Sequence, residues 1–264
     1  MLKEKYILLG DKIHPLPQSL PQSGVGRLAM HPPAERERGV RFPHSAPSFS
    51  EQLELAYFIG VMQTDGNLYL YHNETPRTWD AWRINLTVAE KSLPMLKRAL
   101  SIFSKLFNRK VSIFKNARGY YGFQTSINTL IPIFEKFGVS FDNPPNPPPW
   151  ISCNHRLFGA YLGGVIDGDG HVKLKRSKYP MCEIIIASGH PQHSLKKLIE
   201  QNLGCTARIY KQKGSAVNKE YSECDILTFY VSKKNFECLM EDVLPHITIS
   251  YKKDRLKNYI KSRW

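Results

Sequence analysis

The sequence predicts an α/β protein of the α+β kind, built from two pseudo-twofold αββαββα repeats, each a curved antiparallel sheet backed by helices. Three observations predict it. An apolar, helix-like segment ending in Asp-Gly occurs twice, 104 residues apart. The same order of strand-like and helix-like segments follows each copy, which marks an internal duplication. A proline-dense run, from Asp142 to Pro149, stands between the copies. Two similar halves in one chain normally pair about a pseudo-twofold axis, as a homodimer would.

Taken in order, residues 1–50 form the first region. Between Pro15 and Pro47 the chain is dense in Pro, Ser, Gly, His and Arg and has few paired apolar positions. Such a segment buries too little to offset its ordering entropy, so a disordered or loosely docked basic tail is expected. Repeat one spans 51–141 and opens with the apolar segment from Leu55 to Gly66. Strand-like Asn67–His72 and Trp82–Val88 follow, then a Lys-bearing amphipathic helix over Leu93–Phe107. Two more strands, Lys110–Lys115 and Tyr120–Thr125, precede a closing helical segment. The linker, 142–149, holds five prolines in eight residues, which excludes a helix or a central strand and predicts a stiff, extended connector. Repeat two spans 150–264 and opens with Phe158 to Gly170. Strands are expected at His171–Arg176 and Cys182–Ala187, a helix at Ser194–Asn202, strands at Ala207–Gln212 and Ile226–Ser232, and a closing helix.

Composition excludes several classes. The 264-residue chain has no run near the roughly 20 apolar residues that a membrane span needs. Its first residues carry too short an apolar stretch for a signal peptide, so a cytoplasmic, nucleoid or organelle-matrix location is expected, without secretion. Five cysteines, Cys153, Cys182, Cys205, Cys224 and Cys238, form no Cys-x-x-Cys pair and read as free thiols. His190 and His193 lack partner ligands nearby and read as a polar turn before a helix. Charge is the positive clue. Thirty-seven Lys and Arg against 23 Asp and Glu give a net charge of +14, and a domain this basic usually meets a polyanion.

The repeated segment carries the chemistry. Gly60 in the first copy, and Gly163 and Gly164 in the second, lower helix propensity, so they need a packing reason. Close side-by-side packing of the two helices at the axis supplies one. Gly66 and Gly170 suit the left-handed turn that stops a helix. Parallel helices then bring Asp65 and Asp169 together at their C-termini. There the helix dipole is negative and like charges repel, a poor place for acids unless a divalent cation sits between them. Hard oxygen ligands suit Mg²⁺, and the freed carbonyls of Thr64 and Gly168 offer further ligands. Carboxylate-held Mg²⁺ beside DNA activates water and stabilises a leaving 3′-oxygen.

The segments Phe58-Ile59-Gly60-Val61-Met62-Gln63-Thr64-Asp65-Gly66 and Leu162-Gly163-Gly164-Val165-Ile166-Asp167-Gly168-Asp169-Gly170 resemble the two motifs of the single-chain LAGLIDADG homing endonucleases. The second matches closely and the first more loosely. The resemblance covers about 51–264, because the element order agrees too. It implies a monomeric, site-specific endonuclease that breaks both strands of a long, asymmetric DNA site, with Mg²⁺ as cofactor and Mn²⁺ as a substitute. Such enzymes are usually encoded within mobile introns or inteins, and an intron-encoded or free-standing protein is expected here. The eighth motif position is the metal-binding acid, which assigns that role to Asp65 and Asp169. The sixth position, Gln63 and Asp167, is mainly structural. Peripheral catalytic residues follow the second strand (Glu90, beside Lys91; Ser188 and Gly189 in repeat two) and the fourth (Lys234, with Asn128 in repeat one). Lys234 reads equally as a solvated lysine. A maturase that assists splicing of its host intron RNA, and a non-cleaving DNA-binding protein, are the alternative functions on this fold.

Alternation in the strands supplies a DNA-facing surface. Asn67, Tyr69 and Tyr71 share one side of the first strand, and Arg83, Asn85 and Thr87 share one side of the second. His171, Lys173 and Lys175 do so in repeat two, followed by Arg208, Tyr210 and Gln212. The resemblance implies that the two sheets form a saddle along the major groove. The cationic run from Lys252 to Lys257 is expected to grip phosphates.

Overall fold

The computed structural model describes residues 6–9, 12–15, 47–72, 81–141, 144–175, 179–213 and 223–263. Most of the expected tail, the first two linker residues and Arg176 lie outside them. Within the expected tail, β1 (Tyr6–Leu9) and β2 (Lys12–Pro15) pair as an antiparallel hairpin, so this part has regular structure that the composition did not suggest.

Repeat one begins at α1 (Phe49–Met62). Ser48 and Glu51 close a reciprocal capping box at its start, satisfying orphan N–H groups. Then come β3 (Gly66–Tyr71), β4 (Ala81–Val88), α2 (Leu93–Phe107), β5 (Phe114–Lys115), β6 (Tyr121–Ser126) and α3 (Ile131–Lys136). A short α4 (Pro149–Ser152) leads into repeat two. There α5 (His155–Asp167), capped by Asn154, is followed by β7 (Gly170–Lys175), β8 (Met181–Ser188), α6 (His193–Leu203), β9 (Ala207–Lys213) and β10 (Glu223–Tyr230). A turn of helix, α7 (Phe236–Cys238), runs into a π-helical stretch over Leu239–Val243, and α8 (Ser250–Arg263) ends the described chain.

Each repeat forms one four-stranded antiparallel sheet, in the orders β3-β4-β6-β5 and β7-β8-β10-β9. The registers correspond: Gly66 faces Leu86 in one sheet and Gly170 faces Ile186 in the other. One face of each sheet is core. It carries Ile84, Leu86 and Phe123 in repeat one, and Ile184, Ile186, Leu227 and Phe229 in repeat two, all fully buried. Against it lie the apolar stripes of α2 (Met95, Leu96, Ala99, Ile102, Phe103, Phe107) and α6 (Leu195, Ile199, Leu203), at helical spacing. Phe58, Phe103, Phe107 and Phe123 form an aromatic cluster between α1, α2 and the first sheet. One continuous core runs through both repeats, joined where α1 packs on α5.

Several boundaries differ from expectation for local reasons. The fifth strand is only Phe114–Lys115, rather than Lys110–Lys115. The tenth ends at Tyr230, not Ser232, because the Asn235 amide takes over the local backbone: it accepts from Ser232 N and donates to Tyr230 O. Pro149 does not stay in an extended linker but starts α4, where its missing N–H costs nothing. The linker is also not a free spacer. Pro145, Pro147 and Pro148 are buried, and Asn146 is held through its backbone N–H and C=O by the side-chain amide of Gln63.

Candidate metal centre and DNA interface

The centre is built by the crossing of α1 and α5. A Cβ on Gly60 would overlap the carbonyl oxygen of Tyr161, and one on Gly164 would overlap that of Tyr57. The two backbones therefore touch, and only glycine fits at both places. Gly163 does not belong to this crossing. It faces His246 and Val243 of the segment after α7, so its packing partner differs from the expected one. Gly66 and Gly170 do not take the expected left-handed turn either, since positive φ among glycines occurs only at Gly119, Gly138 and Gly204 of the described residues. They are glycine because a Cβ would strike Met62 or Ile166 as the chain leaves the helix for the sheet.

Asp65 and Asp169 stand in these two exit turns and feel each other's charge. Crowding by protein raises the Asp65 carboxyl above its ordinary range. Crowding, then the charge of Asp65, does the same to Asp169, although the side chain of Asp169 stays open to solvent. The flanking positions are fixed by a crosswise pair of bonds. Tyr57 Oη of repeat one donates to Asp167 at 2.8 Å, and Tyr161 Oη of repeat two donates to Gln63 Oε1 at 2.7 Å. Asp167 also accepts from the backbone N–H of Thr248 (2.7 Å) and Ile249 (3.0 Å), at the entry to α8. Gln63 instead ties α1 to Ser140 and Asn146 of the connection between repeats. The sixth motif position of repeat one thus clamps its helix to the interrepeat connection, and that of repeat two clamps its helix to the start of α8.

The ammonium that faces both acids is Lys252, which the cationic run had assigned to phosphate gripping. It is 4% exposed. Its Nζ donates to the carbonyls of Ile166 (2.8 Å), Asp167 (2.7 Å) and Gly168 (3.1 Å), closing the C-terminus of α5. Loss of hydration lowers its pKa, opposed by Asp167, Asp65 and Asp169. Arg255, from the same run, donates to Val172 O. The Gly168 carbonyl, expected as a metal ligand, is therefore engaged by Lys252. The Thr64 hydroxyl turns back to the carbonyls of Gly60 and Val61. Two carboxylates and the Thr64 carbonyl remain as the expected donor set, and no cluster of three or more His, Cys, Asp or Glu is formed among the described residues. Paired acids whose ionisation is opposed by crowding and by each other fit a divalent cation, which would relieve both penalties.

Of the expected peripheral residues, Lys234 is exposed on the turn after β10, with its backbone N–H on Ser232 Oγ. Glu90 is exposed and acts on Lys115, while its neighbour Lys91 is the one sensed by Lys252. Asn128 accepts from Trp82 N, and Ser188 donates to Pro144 O. These two are structural.

The outer sheet faces begin two residues past each acid, at Asn67 and His171. Ladder register places Asn67, Tyr69, Tyr71, Arg83, Asn85 and Thr87 on the outer face of the first sheet. His171, Lys173, Lys175, Arg208, Tyr210 and Gln212 lie on that of the second. Arg83 stacks 3.7 Å above the Tyr71 ring, and Gln124, absent from the sequence-based set although alternation from Phe123 places it, donates to Tyr69 Oη at 2.7 Å. Lys175 is half-buried, paired with Glu183 at 2.9 Å and donating to Tyr230 Oη, so its charge is already committed. His190 and His193 are exposed, and all five cysteines are free.

No protein-family model matches the sequence, and no curated protein matches it. The fold is nevertheless found among solved structures. The homing endonuclease I-DmoI in complex with DNA and Ca is 16% identical, with a TM-score of 0.50 over 75% of this chain and 92% of that one. The meganuclease I-SmaMI bound to uncleavable DNA is 15% identical, with a TM-score of 0.50 over 78% and 90% of the two chains. The chain shares their mixed α/β fold with two four-stranded antiparallel sheets.

Proposed function

We propose that the protein is a site-specific endonuclease that lays its two outer sheet faces along duplex DNA and hydrolyses one phosphodiester in each strand at the Asp65–Asp169 centre. The observation that carries this reading is the placement of two crowded, mutually repelling carboxylates in the helix-to-sheet turns, at the junction of two cation-bearing sheet faces. A binding-only protein has no use for paired acids where phosphates must pass. Asp65 and Asp169 would hold Mg²⁺, with Mn²⁺ as a substitute. The metal would supply charge to activate water and to stabilise the leaving 3′-oxygen. The chain's own residues do the rest. The α1–α5 crossing fixes the spacing of the acids, Lys252 holds the end of α5, and the sheet faces orient the duplex.

The likeness to DNA-bound homing endonucleases supports this reading at the level of fold. Lys252 closes the end of α5 and, among the described residues, has no lysine counterpart bonded to the end of α1, so the two halves of the centre differ. The site recognised is asymmetric in this reading, and the two strands are cut at unequal rates. Duplexes selected by the full-length chain from a random library should be cut in both strands with Mg²⁺. Asp65→Asn and Asp169→Asn should each keep binding and lose cutting. Nicking at the wild-type rate in either variant would refute the shared centre. Tight binding without cutting in Mg²⁺ or Mn²⁺ would turn the reading to a maturase, with host intron RNA as the next ligand.

A further inference from the structure

We propose that the two sheet faces read their half-sites by different chemistries: repeat one by hydrogen bonds to purine edges, repeat two by apolar contact with thymine methyl groups. This rests on the DNA-binding reading above and names the sequence class of its substrate.

The matched registers allow a position-by-position comparison. On the central two strands of repeat one, Asn85 faces Gln124, Thr87 faces Gly122 and Arg83 faces Ser126. The same places in repeat two hold Ile185 facing Thr228, Ala187 facing Ile226, and Glu183 facing Tyr230. An amide pair is replaced by Ile and Thr, and a Thr-Gly pair by Ala and Ile.

Packing of the shared core does not require apolar residues at Ile185 and Ala187. Ile184, Ile186, Leu227 and Phe229 fill the core face of the same strands, whereas Ile185 is only half-buried and Ile226, though buried, stands apart from that contiguous core. Ile226 (5% exposed) and Thr228 (4%) form a floor on the outer face, with Ile185 half-buried beside Thr228 and Ala187 exposed beside Ile226. Around this floor stand the exposed cations Lys173 and Arg208, and Glu183 is neutralised by Lys175. A floor of methyl groups within a cationic rim suits a polyanion that presents methyl groups. In the major groove that feature is the C5-methyl of thymine. Asn and Gln pair instead with adenine N6 and N7, and Arg with guanine. In repeat one the Arg83–Tyr71 stack and the Gln124–Tyr69 bond hold two of these readers in place.

The test changes the DNA rather than the fold. Duplexes bound by the full-length chain in Ca²⁺ are selected from a random library, and each thymine is then replaced by uracil, which removes only the methyl. Affinity should fall by about fourfold per contacted methyl, in one half-site alone. Ile185→Ala should erase the uracil penalty at the thymine it touches, whereas Asn85→Ala should leave every uracil penalty intact and relax an adenine preference in the other half. Selected sites that show no uracil penalty, or equal penalties in both halves, overturn the inference while leaving DNA recognition standing. So does a penalty that survives Ile185→Ala. Failure to enrich any duplex overturns the function itself.

Discussion

Lys252 sets the electrostatics of the centre through one buried ammonium. It holds three consecutive carbonyls at the end of α5 and opposes the charges of Asp65, Asp167 and Asp169. Lys252→Met keeps an unbranched side chain, one heavy atom shorter, but strands those carbonyls and leaves three acids without their cation. The loss of folding stability should be about 3 kcal/mol, read from urea unfolding; an unchanged midpoint would show that the ammonium is not structurally required. The acids themselves were legible in the sequence, because repetition at a fixed offset isolates Asp65 and Asp169 from other carboxylates. Lys252 was not, because it stands in a run of cations that reads as a solvated surface. A signal was present all the same: Lys252, Leu256 and Ile260 recur at helical spacing and are the buried residues of α8. Gln63 and Asp167 were readable as structural, but their crosswise tyrosine partners belong to the other repeat, where local sequence carries no pairing information.

At the scale of elements, the α1–α5 crossing decides where both acids stand, and two opposing effects meet at its glycines. Helix propensity favours Gly164→Ala by about 1 kcal/mol. Packing opposes it, since the added methyl would occupy the space of the Tyr57 carbonyl oxygen, which belongs to backbone and cannot rotate away. Overpacking in a fitted core costs about 1–3 kcal/mol, and relief here requires moving a whole helix, so packing wins. Thermal unfolding of Gly164→Ala should show net destabilisation, and metal binding should weaken with it as the acids separate. Higher stability in the variant would mean that the helices are free to part. The order of elements in each repeat was legible from alternation and amphipathic spacing. Strand ends were not, because the side chains that terminate them compete locally with the ladder, as Asn235 does after β10. The reason for Gly66 and Gly170 was misread for a related cause: a glycine after a helix suggests a left-handed cap, whereas a close approach leaves no mark in one-dimensional sequence.

Across the whole molecule, the halves are locked by polar bonds as well as by the shared core. Arg98 of α2, in repeat one, donates to the carbonyl of His246 and to Thr248 Oγ1 in repeat two, and its guanidinium lies 3.8 Å over the Tyr57 ring. This places a cation beside the His246 imidazole. Burial first, then Arg98, lowers the His246 pKa to about 4, with Lys253 and Arg156 adding to the effect and Asp242 opposing it. An imidazole in the unfolded chain titrates near pH 6.5, about its ordinary value. The unfolded chain therefore binds more protons between these two values. The contribution of His246 to stability is complete above about pH 6.5 and is lost as pH falls toward 4. Many carboxylates titrate over the same range, so the informative quantity is the difference between wild type and His246→Gln, in which they cancel. Measured by Tm across pH 8 to 4, wild type should lose more than the variant below pH 6.5, and the two curves should run parallel above it. Parallel curves throughout would mean that the imidazole is hydrated in the folded protein and that the join between the repeats at Arg98 is open to water.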